Sequence, residues 1–159
     1  MSINIWHYFL ISMAPVLELR GGIPLAIGSG IPPAAAFALC ATGNMLPVPF
    51  IILFIRPVFR RLRRLRFLRG LIERLESLAF RKSAKLDRYS FWALAVFVGI
   101  PLPGTGAWTG ALIAALLDMD FKRALLAIFL GVLIAGFLVT VISTGVFAGV
   151  GLLKEIFFL

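Results

Sequence analysis

The sequence predicts an all-α integral membrane protein built from two inverted repeats. Each repeat is a re-entrant helical hairpin followed by one transmembrane helix, and a cationic amphipathic helix joins the two. Three observations predict this fold: the composition, three long charge-free stretches, and a short motif that occurs twice. Hydrophobic residues make up 61% of the 159 residues and the mean hydropathy is +1.03, well above the roughly 45–50% apolar content of soluble domains. The composition therefore excludes a water-soluble globular protein.

The positive charge is concentrated in one segment. Twelve of the sixteen Lys and Arg residues and three of the seven Asp and Glu residues lie between Arg56 and Arg88, so this segment carries the whole net charge of +9. A basic cluster between apolar blocks marks the cytoplasmic side of a membrane protein and does not indicate a nucleic-acid partner. We therefore expect a multi-pass protein of the cell (inner) membrane with residues 56–88 in the cytoplasm.

Residues 1–55 form the first repeat of a single membrane domain that covers residues 1–159. An apolar arm from Ile3 to Val16 leads into a break at Pro15 to Pro24, which contains two Gly and two Pro residues. A spanning helix is expected from Ala34 to about Ile55, with kinks at Pro47 and Pro49 because Pro cannot continue the helical hydrogen bonds.

Residues 56–88 form the linker between the repeats. Apolar side chains recur there at steps of three and four, which is typical of an amphipathic helix. A cationic helix of this kind lies in the membrane surface and is held by anionic lipid headgroups. It either recognises headgroups or only anchors the topology. The stripe consists of Val58, Leu62, Leu65, Leu68, Ile72, Leu75 and Ala79.

Residues 89–159 form the second repeat. Two Pro and two Gly residues between Ile100 and Gly106 interrupt a charge-free stretch and leave two arms, Tyr89 to Val98 and Ala107 to Leu117. Each arm is about 15 Å long as a helix, half of a ~30 Å hydrocarbon core. The arms therefore fit a re-entrant hairpin, and a kinked spanning helix is the alternative. Ala124 to Leu153 reads as a plain spanning helix.

A short motif suggests that the two units are related. Gly22-Ile-Pro-Leu25 recurs as Gly99-Ile-Pro-Leu102, and each copy lies at the break of an expected hairpin. A hairpin returns to its own side of the membrane and the following helix crosses once, so the second unit starts on the opposite face. This is the inverted-topology arrangement in which transporters place broken helices and binding sites near the midplane.

Glu18 and Arg20 are the strongest candidates for chemistry. Ionisable residues among apolar ones are by default functional or paired. Burial favours a neutral Glu18 carboxyl and a nearby Arg favours its charged form, so the residue suits proton coupling, while the Arg20 guanidinium suits an anionic substrate group. A direct bridge between these two residues requires an unwound chain, since a spacing of two points side chains apart on a helix. The alternative is an ion pair that only fixes the hairpin.

Further pathway residues are expected around the two breaks. The second tip offers hydroxyls and backbone N–H groups to an anion or a coupling ion, although a tight turn requires the same small residues for steric reasons alone. Trp108 either lines a pathway or fills space, and Asn44 forms hydrogen bonds across helices to a tip or to an ordinary neighbour. The candidates besides Glu18 and Arg20 are Gly22, Pro24, Asn44, Pro101, Pro103, Gly104, Thr105, Gly106, Trp108 and Thr109.

Enzyme signatures are not found in the sequence. There is no GxSxG, HExxH or Walker A motif, and one His and one Cys provide no metal cluster. We expect no catalytic residue, no metal and no cofactor, and any transport must be driven by a gradient or be passive.

Four segments, in order, resemble the small multidrug export protein family: ELRGGIP from Glu18, GNMLPVPFI from Gly43, IPLPGTGAWTGALIA from Ile100 and LGVLIAG from Leu130. The resemblance, which extends distantly to DedA membrane proteins, implies inverted re-entrant hairpins and proton-linked export or flipping of an amphipathic or anionic small molecule or lipid. Passive lipid scrambling and a non-transporting, lipid-organising assembly are the alternatives. Two hairpins and two spans enclose little space, so a homodimer is expected.

Overall fold

The structure, a computed structural model, describes residues 5–62 and 86–158. Within these ranges all regular secondary structure is α-helical, which confirms the predicted all-α class. Residues 63–85, the greater part of the predicted amphipathic linker, lie outside the described residues. The helices are α1 (Ile5–Met13), α2 (Glu18–Gly28), α3 (Pro33–Met45), α4 (Pro47–Leu62), α5 (Leu86–Gly99), α6 (Ala107–Leu116) and α7 (Phe121–Phe158).

The first break is shorter than the sequence predicts. It covers only residues 14–17, and α2 begins at Glu18 and continues through Gly21, Gly22 and Pro24. The expectation of an unwound chain from Pro15 to Pro24 is therefore wrong. The reason is packing: a Cβ at Gly22 would collide with Ser12 Oγ and lie 3.0 Å from Cys40 Sγ. This glycine thus allows the helices to approach closely and does not unwind α2.

The first long apolar segment is divided by a proline. α3 starts at Pro33, whose fixed φ suits the first helical position, and ends at Met45. α4 begins at Pro47, directly after Leu46, because the missing N–H of Pro47 interrupts the helical hydrogen bonds. The kink predicted at Pro47 is therefore a division between two separate helices, α3 and α4.

The second break covers residues 100–106, between α5 and α6. Pro101 and Pro103 prevent helix formation, and Gly104 has φ +86°, a conformation that favours glycine. After α6 the chain turns at Asp118 and enters α7, where Asp120 Oδ2 accepts a hydrogen bond from the backbone N–H of Arg123 at 3.4 Å. Asp120 thus caps the start of α7.

The helices pack closely through small residues. α1 and α2 pack against each other and against α3, α5 packs along α7, and α6 lies against α4; α2 and α3 also contact α7. At the contact of α5 with α7, a Cβ at Gly131 would lie only 2.6 Å from Val98 Cβ and 2.7 Å from the Ala95 carbonyl oxygen. Such close approach is typical of helix interfaces in membranes.

The outer surface is strongly apolar. Large hydrophobic side chains are exposed on several helices, among them Trp6, Phe54 and Phe137, each more than 60% exposed. Monomeric soluble proteins rarely expose apolar surface on this scale. Two segments, Pro33–Ile55 and Phe121–Val150, are long and apolar enough to cross a membrane. The protein therefore has the surface and the helices expected of a membrane protein.

Candidate functional site at the contact of the two breaks

Glu18 connects the first break to the start of α6. The residue is only 5% exposed, and its Oε1 accepts a hydrogen bond from the backbone N–H of Trp108 at 3.2 Å. The first N–H groups of a helix have no partner within the helix and carry partial positive charge. Gly106, the N-cap residue of α6, contributes no side-chain cap, so Glu18 supplies the cap from a distant part of the chain.

Two backbone features allow the Glu18 carboxylate to reach this position. Glu18 has φ +50°, a left-handed conformation that is uncommon for residues other than glycine and recurs at functional sites. Its carboxylate lies directly against Gly106, where any Cβ would collide with it. Glu18, in its left-handed conformation directly after the first break, and Gly106, at the end of the second break, therefore fit against each other.

Arg20 binds the second break itself. Its guanidinium donates to the carbonyl oxygens of Leu102 and of Ile100, the latter at 3.3 Å, and to Thr105 Oγ1 at 2.9 Å. The Thr105 hydroxyl lies within hydrogen-bond distance of the same two carbonyls, 2.6 Å from Ile100 O and 2.8 Å from Leu102 O. The Arg20 guanidinium thus holds together backbone carbonyls that lie outside the helices. Its partners are neutral, so the positive charge of Arg20 is not compensated by them.

No direct bridge forms between Glu18 and Arg20. Glu18 accepts a hydrogen bond from the start of α6 and the terminal nitrogens of Arg20 donate to the second break, so each side chain reaches the second unit and no hydrogen bond joins them. A direct bridge requires an unwound chain, whereas both residues belong to α2. Side chains two residues apart in a helix point in different directions, so Glu18 binds the start of α6 and Arg20 binds the second break.

Trp108 adds a third link between the breaks. Its indole N–H donates to the carbonyl oxygen of Met13, the last residue of α1, at 2.9 Å. That carbonyl ends a helix and would otherwise lack a partner. Trp108 therefore contacts the end of α1 through its side chain and Glu18 through its backbone.

Asn44 lies in the crevice behind these contacts. It is 1% exposed, and its Oδ1 has no hydrogen-bond partner. The crevice has no space large enough for a water molecule. It brings together residues of both units: Glu18, Leu19, Arg20, Asn44, Val98, Gly106, Ala107, Val132 and Ala135.

The other predicted residues lie around this contact with different roles. Pro24 is inside α2, and Gly22 packs against Ser12. Pro101, Pro103 and Gly104 shape the second break. Thr109 is half-buried in the first turn of α6. The sequence reasoning missed the carbonyls of Met13, Ile100 and Leu102, because a backbone acceptor is present in every residue and gives no sequence signal.

Fold and site together define an all-helical membrane protein in which two interrupted helical segments are joined through the buried Glu18 and the partly exposed Arg20. Residues 18–138, which contain Glu18, Arg20 and the second break, match the family described as "Putative small multi-drug export protein". The chain belongs to this family. The comparisons give no support for a relation to DedA proteins. No curated protein and no solved structure gives a significant match.

Proposed function

We propose that this protein is a proton-linked membrane transporter that exports or flips an amphipathic or anionic small molecule or lipid. The observation that carries the proposal is the contact of α2 with the second unit: the buried Glu18 carboxylate, directly after the first break, caps α6, and the Arg20 guanidinium binds the second break. Family membership supports export. Buried ionisable residues at interruptions of apolar helices are typical of ion and substrate pathways.

The two side chains suit a two-state mechanism. Ionised Glu18 is held at the start of α6 by a charge-assisted hydrogen bond and by the helix dipole. Protonation removes the charge and weakens this hold, which favours separation of the breaks. Separation frees Arg20 from the tip carbonyls, and its guanidinium then binds a carboxylate or phosphate of the substrate. A proton and a substrate thereby bias the same equilibrium.

The arrangement in the membrane belongs to the same proposal. α1–α2 and α5–α6 would be re-entrant hairpins, with α3–α4 and α7 as the spanning segments of two inverted repeats. The packing supports this, since the first arm of each hairpin packs on the long helix of its own unit, α1 on α3 and α5 on α7. The linker would face the cytoplasm at the inner membrane and bind anionic headgroups, and a homodimer would complete the route. No enzymatic activity is proposed.

The transport test uses proteoliposomes and two probes, NBD-labelled phosphatidylglycerol and the amphipathic anion 8-anilinonaphthalene sulfonate. We expect an imposed pH gradient to accelerate movement of at least one probe, and Glu18→Gln to abolish the acceleration. Asp120→Asn is the matched control, since that carboxylate lies at the start of α7 and does not line the crevice. Movement that is equal without a gradient would indicate passive scrambling, and no movement of either probe would indicate a non-transporting assembly.

A second experiment tests the topology. Single cysteines at Val16 and Leu102, which are exposed residues of the first and second break, in a Cys40→Ser background, are labelled with aqueous thiol reagents from each side of the membrane. Labelling at both positions that changes with pH or with Glu18→Gln supports a gated pathway between the breaks. Positions that stay unreactive from both sides in a folded protein contradict it.

A further inference from the structure

Asn44 contains an unpaired acceptor that the contacts described so far do not explain. The side chain is 1% exposed and its Oδ1 has no hydrogen-bond partner. A buried acceptor without a donor is costly, because it has lost its hydrogen bond to water, and such groups are few in native proteins. A second state of the same site in which Asn44 gains a donor would account for the residue.

The surroundings of Asn44 limit where that donor comes from. The crevice leaves no space for a water molecule, so solvent does not satisfy the amide oxygen. Of the residues that line it, only Glu18 and Arg20 carry ionisable side chains. The terminal nitrogens of Arg20 are held at the second break, and its Nε–H, which also has no partner, is not hydrogen-bonded to Asn44 Oδ1. Glu18 is the remaining group, and it has a donor only when protonated, since an ionised carboxylate only accepts.

We infer that Asn44 Oδ1 accepts the hydrogen bond of protonated Glu18, so that the two residues form a two-state proton site. In the ionised state the Glu18 carboxylate accepts from the Trp108 N–H, as observed. In the neutral state its O–H donates to Asn44 on α3. Asn44 is thus a positioning residue that stabilises the neutral form. This inference deepens the proposed function and rests on it for its biological meaning.

Other ionisable groups on the packed helices do not share this site. On α1, Tyr8 donates to Ser29 and His7 is exposed. Cys40 on α3 is buried beside Gly22 and Ser12. α6 contains no ionisable side chain, and Lys122 and Arg123 of α7 lie at its first turn. None of these residues lines the crevice.

Trp108 provides a direct optical reporter, because its backbone N–H binds Glu18. The other tryptophans, Trp6 and Trp92, are exposed by 70% and 56%, so their replacement by Phe disturbs little of the interior. The experiment follows Trp108 emission of this single-tryptophan protein in lipid nanodiscs between about pH 4 and about pH 9. We expect one transition, and Glu18→Gln should abolish it.

Asn44→Leu is the decisive variant. Loss of the acceptor should lower the proton affinity of Glu18 about three- to tenfold, and the transition should move by about half to one pH unit to lower pH. Added apolar surroundings alone would act in the opposite direction, because they disfavour the carboxylate. In Asn44→Ala, which adds no volume, the midpoint of the transition should shift in the same direction as in Asn44→Leu. Asn44→Ala is used in its place if Asn44→Leu fails to fold. Cys40→Ala, on the same helix, is the control and should leave the midpoint unchanged.

The outcomes separate this inference from the proposed transport. An unchanged midpoint or a shift to higher pH in the Asn44 variants overturns the inference, as does a transition that survives in Glu18→Gln or is missing from the parent protein. A transition with the expected shift supports it, even when the proteoliposome probes do not move and transport is rejected. Gradient-driven movement with an unshifted midpoint rejects the inference alone.

Discussion

The Glu18 carboxylate caps α6 through the backbone N–H of Trp108, at 3.2 Å and across 90 residues of sequence. Helices are ordinarily capped by a residue next to their first turn. Here the neighbouring position is Gly106, and the cap comes from the other unit. The starts of α2 and α6 are therefore structurally coupled, so a substitution at either one should affect the stability of both.

Gly106→Ala should displace Glu18, because any Cβ at this position collides with the carboxylate. We expect unfolding in detergent to become easier by at least about 2 kcal/mol, the range for overpacking combined with the loss of a cap. In a Glu18→Ala background the same substitution should cost much less, since the colliding group is gone. Thermal unfolding of the two single variants and the double variant measures this coupling; strictly additive effects would contradict the contact.

Arg20→Lys should loosen the second tip. An ammonium group lacks the planar fork with which the guanidinium reaches two carbonyls and the Thr105 hydroxyl together. With a reporter cysteine at the exposed Leu102 in a Cys40→Ser background, we expect thiol labelling to become several-fold faster. Thr105→Val removes a single member of this network and should give an intermediate rate. Equal rates in all three proteins would show that Arg20 does not restrain the tip.

Gly110→Ala and Gly131→Ala should respond differently to a smaller residue at position 98. A Cβ at Gly110 meets only side chains, the nearest being Val98 Cγ2 at 2.5 Å, whereas a Cβ at Gly131 also meets the Ala95 carbonyl oxygen at 2.7 Å. Both variants should be destabilised by about 1–3 kcal/mol. Val98→Ala should rescue Gly110→Ala and leave Gly131→Ala largely unrescued. Gly145→Ala, where a Cβ has no neighbour within 4 Å, is the control for thermal unfolding.

Trp108→Phe should weaken the link to α1. The indole N–H bond to Met13 O is lost while most of the ring volume remains, so the expected cost is about 1 kcal/mol, the usual net value of one hydrogen bond. Trp92→Phe is matched in chemistry and lies on the exposed surface. Chemical denaturation in detergent compares the two. A larger effect at position 92 would contradict the role assigned to Trp108.

The second break was predictable because two prolines and two glycines within seven residues leave the chain no helical option. The first break was misplaced because Gly21, Gly22 and Pro24 give the same signal for a different reason. Gly22 allows α2 to pack against Ser12 and Cys40, which are distant in sequence or on other helices. Local patterns do not distinguish a glycine needed for a turn from one needed for close packing.

The sequence predicted which side chains form the candidate site, but it did not predict which groups they bind. Glu18, Arg20 and Asn44 are recognisable because they are polar in apolar surroundings. Their partners are mostly backbone groups of the second break and of α6, which are chemically the same in every residue. Which of these groups faces Glu18 depends on how the two units dock, and docking is decided by packing over the whole interface.

The 82 and 90 residues that separate Arg20 and Glu18 from their partners have a consequence for biosynthesis. The N-terminal part of a chain is made first, so both charged side chains leave the ribosome well before the second hairpin exists. A carboxylate and a guanidinium without partners are costly in hydrocarbon, which favours keeping the start of α2 near water until residues 100–108 arrive. In the proposed arrangement the first hairpin therefore reaches its final depth only after residues 100–108 have been synthesised.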